Sequence, residues 1–261
     1  MFSRSLLYLL LLTATLLSAC APVRPKLVGD QVSQNFAKEL MQEWSANSVR
    51  VTSVQGLAKV KVRSPENSLS GTQVILAEKP DRLRAETLSP FGSPLLLLAA
   101  DGENLGVLLP SRNLYYTGAA SPANLGRFVR IPLRLSDLVS VLLYQPPMIR
   151  AGSEEAFELQ EGGWLLIRNG SSRRQELTFN PARQLIATNY YDTDKLLLKI
   201  TYGKFSAEEG GFPLLFGIEL PELATTASLE FSEPETNGKL PAGIFKLTPP
   251  ADVTVIALDE E

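Results

Sequence analysis

The chain has 261 residues, 44% of them hydrophobic, with 25 Lys and Arg against 28 Asp and Glu and a formal net charge of −3. That balance supplies ample apolar material for a core and leaves no global basic field to recruit nucleic acid. There is no histidine and one cysteine, which removes the commonest general base, the commonest zinc ligand and any internal disulfide.

Arg4 gives a short basic start, and Leu6 to Leu17 is apolar apart from Tyr8, Thr13 and Thr15. A run of roughly 12 residues is too short for a bilayer, which needs about 20, so it reads as the core of a secretion signal. It ends in Leu17-Ser18-Ala19-Cys20, which looks like a bacterial lipobox. The likeness implies cleavage before Cys20, acylation there, and a lipid anchor facing the periplasm. The competing reading is a buried cysteine in an uncleaved segment. Several acyl chains anchor firmly, at about 0.8 kcal/mol per buried methylene. Lipobox proteins of enteric bacteria with Asp after the cysteine tend to stay on the inner membrane, and Ala21 favours the outer one. The expected organisation is a signal peptide at 1–19, a lipidated tether at 20–29 with Pro22 and Pro25, and one domain at 30–261.

Phe36, Ala37, Leu40, Met41 and Trp44 share one face of a 3.6-residue period, and Asp30 or Ser33 can cap that helix. From Val54 the period becomes two. Val60 and Val62 alternate with Lys59, Lys61 and Arg63, and Leu83, Ala85 and Thr87 with Arg82, Arg84 and Glu86, as in half-buried strands. Leu95 to Ala100 is apolar on both faces and so needs a cover on both. The covers expected are helices on one face and a bound apolar ligand. Asp101-Gly102 makes a turn, Asn104–Leu109 returns, and Leu114-Tyr115-Tyr116 follows. Leu125, Phe128 and Val129 suit a helical turn. Ser136 can cap a second helix carrying Leu138, Val139, Val141, Leu142 and Leu143, which Pro146-Pro147 stops.

Nine short strands are expected beyond it: 157–160, 164–168, 175–179, 185–191, 196–202, 215–220, 227–231, 245–248 and 253–258. Turns fall at Gly162-Gly163, Asn169-Gly170, Asn180-Pro181, Asp192-Thr193-Asp194, Gly210-Gly211 and Pro249-Pro250. The topology expected is one antiparallel meander with a helical insertion near its middle.

Signals for catalysis are thin. No phosphate-cradling loop and no nucleophile elbow occur. Glu154-Glu155, Glu208-Glu209 and Asp259-Glu260-Glu261 are sequence neighbours, and a glycosidase needs two carboxylates facing each other across a cleft. Solvated turns and a polar tail explain them. No catalytic residue, metal or cofactor is expected, and a hydrolase is the weakest of the readings.

Three local patterns together resemble the LolA/LolB family, the periplasmic carrier and the outer-membrane receptor for lipoproteins. The first is Glu78-Lys79-Pro80-Asp81-Arg82-Leu83-Arg84, then Ser89-Pro90 and Asp101-Gly102-Glu103-Asn104-Leu105. The second is the Pro-bounded helical insertion at Ile131–Pro147. The third is the ending from Phe245 to Val255, with Thr248-Pro249-Pro250 inside it. The resemblance implies a mainly β fold with some α: an incomplete, strongly curved antiparallel half-barrel with helices plugging its concave face. It implies a cavity for acyl chains, with Leu83, Leu95, Leu97, Leu105, Leu138 and Leu142 as its lining. Phe91, between Pro90 and Gly92, would sit in a membrane-insertion loop. Lys79 stands where the carrier has a lid-tethering arginine, whose planar fork a lysine cannot reproduce. The partners implied are lipoprotein acyl chains, the outer-membrane bilayer and a periplasmic carrier. The alternative is an assembly lipoprotein that uses the same fold to bind a protein of an envelope complex.

Overall fold

The structure, a computed structural model, describes residues 27–207 and 211–258. The leader, Cys20, Glu208-Glu209 and Asp259-Glu260-Glu261 lie outside the described residues. In chain order the first elements are β1 (Leu27–Gln31), α1 (Gln34–Ser48), β2 (Ser53–Arg63), β3 (Ser68–Glu78), β4 (Arg82–Leu88), β5 (Pro94–Ala100), β6 (Asn104–Leu109) and β7 (Leu114–Ala119). Two helices follow, α2 (Pro122–Val129) and α3 (Leu135–Leu142). The remaining strands are β8 (Ser153–Leu159), β9 (Trp164–Asn169), β10 (Arg173–Phe179), β11 (Leu185–Asp192), β12 (Lys195–Phe205), β13 (Pro213–Leu220), β14 (Thr225–Phe231), β15 (Glu235–Thr236) and β16 (Thr254–Ala257).

Among the described residues all sixteen strands belong to one open sheet, in the order β1-β8-β9-β10-β11-β12-β13-β14-β2-β3-β4-β5-β6-β7-β16, with β15 beside β2. The single meander is thus corrected to two, β2–β7 and β8–β14, joined edge to edge by the antiparallel β14–β2 pair. β16 lies parallel to β7. Short turns make each meander locally, whereas the β14–β2 join must close a long loop and leaves no local signal. β1 is a strand on the edge beside β8, so the sheet takes in the last three residues of the expected tether.

Register carries one row of side chains across the sheet. Ala58 faces Phe231 and Gln73, Ala85 faces Leu98, and Leu98 faces Val107. This inner face is the one that the helices cover, and Ala58, Leu98, Val107 and Phe231 are buried on it. α1 starts where Ser33 Oγ accepts from Phe36 N at 3.2 Å. It buries Ala37, Leu40 and Trp44, with Trp44 edge-on to Phe179 and Tyr144. α2 is capped by Ser121. Ser136 does not cap α3, which starts one residue before it. Arg134 is its N-cap, without a side-chain cap bond, and is held by Asp137 through bonds of 2.8 and 3.2 Å. No helix of the described residues is long and apolar enough to cross a membrane.

The outer face explains why Leu95–Ala100 is apolar on both sides. Residues 243–248 cross it over β4–β7 instead of forming the strand expected at 245–248. Arg84 Nη1 donates to the Ile244 carbonyl at 2.8 Å, and the Tyr115 hydroxyl donates to the Leu247 carbonyl at 2.8 Å. Phe245 is buried there, a contribution of about 1.5–3 kcal/mol. Gly106 lets the layers approach, since a Cβ there would lie 2.6 Å from the Tyr115 hydroxyl. The second cover is therefore the chain's own C-terminal segment.

Candidate functional site

Between the inner face and the two central helices lies a cavity of about 300 Å³. Its floor is Val60 and Val62 of β2, Ile75 of β3, Leu83 and Ala85 of β4, Leu96 and Leu98 of β5, and Phe216, Ile218 and Leu229 of β13 and β14. Its roof is Phe128 and Val129 of α2, Ile131, and Leu138, Val141 and Leu142 of α3. Among the described residues no ionisable side chain lines it. The amide of Gln73 is matched internally, donating to Thr87 Oγ1 at 3.1 Å. Such a space offers dispersion and burial to an apolar chain and neither a base nor a charge to a polar one.

The roof is latched at its far end. After α3, the Tyr144 hydroxyl donates to the Leu185 carbonyl at 3.1 Å, and Gln145 Nε2 donates to the Val51 carbonyl at 2.9 Å and to the Ser48 carbonyl. Burial pushes the Tyr144 phenol well above its ordinary pKa, so it stays a neutral donor.

Leu83, Leu138 and Leu142 line this cavity. Leu95, Leu97 and Leu105 do not. Leu95 and Leu97 have the opposite parity to Leu96 and Leu98, so they face outward, and Leu95 is 46% exposed. Leu105 has inner-face parity, opposite Ala100, but is fully buried in the core beyond the cavity. Sequence reasoning missed the contribution of β2, β3, β13 and β14. The alternation of Val60 and Val62 showed a buried face, and nothing local showed which strands would share it.

Phe91 is 95% exposed. Ser89 Oγ accepts from Phe91 N at 3.3 Å and Ser93 N at 3.1 Å, and Gly92 N donates to the Ser89 carbonyl at 2.9 Å. Gly92 sits at φ 82°, which a side chain would resist. These bonds hold the turn closed and leave the ring outside it. The turn links Thr87 of β4 to Leu96 of β5, both in the cavity floor, at the strand end where Leu69, another lining residue, is 48% exposed.

Lys79 does not reach the helices over the cavity. Its Nζ donates to the Val49 carbonyl at 3.2 Å, at the C-terminus of α1, where unpaired carbonyls favour a cation. Partial burial lowers its pKa.

No family model matches the sequence, and no curated protein matches it. The structure is similar to a DUF1329 family protein from Desulfovibrio piger, at 14% identity over 78% of this chain and 96% of that one, with a TM-score of 0.48. It is also similar to a LolA superfamily protein from Nitrosomonas europaea, at 16% identity over 81% of this chain and 97% of that one, with a TM-score of 0.49. Likenesses this distant carry no function across.

Proposed function

We propose that this chain is a non-enzymatic, lipid-anchored envelope protein. It takes an acyl chain of an incoming lipoprotein into the cavity and passes it on to the outer membrane. One observation carries the reading: the cavity lining is mostly apolar, holds no ionisable side chain, and has its one amide N–H bonded to Thr87, so its best occupant is a hydrocarbon chain. The sequence patterns that resemble LolA/LolB and the lipobox-like Leu17–Cys20 support the rest. In this reading the sheet is the incomplete barrel, α2 and α3 are its plug, and the chain lies between them. Each buried methylene contributes about 0.8 kcal/mol. Transfer needs no nucleotide, because direction follows from successive differences in affinity, carrier to receptor to bilayer.

A lysine bound to α1 in place of a lid-tethering arginine favours a receptor over a gated carrier. Native mass spectrometry of the Cys20→Ser chain, with lipid extraction, tests the reading. Acyl lipid should co-purify. An empty cavity with a bound polypeptide would point instead to an assembly lipoprotein.

A further inference from the structure

Helix α3 has a second side. Val141 lines the first cavity and also a separate cleft of about 470 Å³ between α3 and strands β10–β12. The cleft is walled by Leu133, Met148, Leu198 and Ile200. Leu197 joins them through a β-bulge. Tyr190 pairs with Leu198 and Tyr191 with Leu196, so Leu197 has no cross-strand partner on β11 and its side chain lines the cleft.

The polar side chains at the cleft's inner end, Tyr190 and Gln175, are already matched. The Tyr190 hydroxyl donates to the Pro147 carbonyl at 2.6 Å. Gln175 Nε2 donates to the same carbonyl at 3.0 Å and to Thr188 Oγ1 at 3.1 Å, and Gln175 Oε1 accepts from Ile149 N at 3.1 Å. On the rim, Arg134 is paired with Asp137. Arg150 and Arg173 are different. Both are exposed lining residues, and among the described residues neither side chain has a hydrogen bond or ion pair. They flank Gly170, where a Cβ would lie 2.8 Å from the Arg150 carbonyl and 3.1 Å from the Arg173 carbonyl. Asp192 faces Arg173 across the strand pair but makes no ion pair with it, and its carboxylate accepts from the Thr193 hydroxyl at 3.5 Å.

We propose that this cleft is a second lipid site. It takes an anionic phospholipid whose phosphate lies between Arg150 and Arg173 and whose acyl chain runs over Leu197, Leu198 and Ile200. Guanidinium forks match phosphate oxygens in pairs. An acidic peptide is the poorer occupant, because its backbone brings a donor and an acceptor with nearly every residue and the interior groups are taken. An acyl chain needs neither. The site is independent of what fills the first cavity.

The test is titration of dihexanoyl phosphatidylglycerol, below its micellar concentration, into the Cys20→Ser full chain. Inorganic phosphate and tetraglutamate are the comparators. The lipid should bind more tightly than either. The double change Arg150→Glu with Arg173→Glu should weaken it at least tenfold, leaving the melting temperature and fatty-acid binding in the first cavity unchanged. Both residues are exposed, so the fold should survive. Equal binding by the variant would overturn the site. Phosphate binding as tightly as the lipid would leave the apolar floor without a role, and tighter tetraglutamate would make the occupant a polypeptide. Either result overturns the proposal.

Discussion

Gln73 and Thr87 are direct cross-strand partners on β3 and β4 in the lining of a largely apolar cavity, where Gln73 Nε2 donates to Thr87 Oγ1 at 3.1 Å. The bond gives an amide N–H beside a hydrocarbon occupant a partner of its own.

Thr87→Val should orphan that amide and cost about 1–3 kcal/mol, whereas Gln73→Leu with Thr87→Val should recover most of the loss. Denaturant unfolding of the three proteins measures it. A double variant no more stable than the single one would mean that the bond has no structural weight.

Leu96→Glu places a carboxylate in the cavity, and Leu97→Glu places one on the outer face. The first should weaken binding of a fluorescent fatty acid at least tenfold while the circular dichroism stays native, because a desolvated carboxylate lacks a partner there. The second should change binding by no more than about twofold, since its carboxylate stays outside the cavity and away from the chain. The reverse order of effects would put the acyl chain elsewhere.

Phe91→Glu should alter stability by no more than about 0.5 kcal/mol, as expected for a side chain outside any packed layer. Release of a bound lipoprotein into liposomes should nevertheless fall. Full delivery by this variant would take the loop out of the transfer step.

Cys20→Ala should free the protein from membranes and stop removal of the leader. Cell fractionation and the amino-terminal mass decide it. A variant still in the membrane fraction with an unchanged terminus would exclude the lipobox.

What the sequence made legible was local. The Ala37, Leu40 and Trp44 stripe gave α1, and alternating runs bounded by Gly, Pro and Asn gave most strands. Leu95–Ala100 was legible as buried but not by face, because period-two parity informs only where one side is polar. Its outer side is apolar for the sake of Phe245 and its neighbours. Those residues alternate like a strand yet lie across one, a distinction that no periodicity makes. β3 was obscured by Gly71 and Gln73 on its inner face. The cavity's far walls depend on β14 meeting β2, a pairing between the two ends of the chain. Lys79 was placed by motif over the cavity, while the free carbonyls at the end of α1 hold it.

The position of β1 gives the molecule two poles. Leu27 pairs with Leu159, at the end of the strands opposite the turn that carries Phe91. Six residues, Ala21–Lys26, separate Leu27 from Cys20, a span of at most about 25 Å. An eleven-residue strand such as β2 is about 36 Å long. A protein lipidated at Cys20 and standing upright would carry Phe91 on the side away from its own bilayer, toward an arriving carrier. Only by lying down along the membrane would it bring the ring into the lipid that holds it. Under the proposed function, the angle between strands and membrane would be the variable that separates receiving a cargo from releasing it.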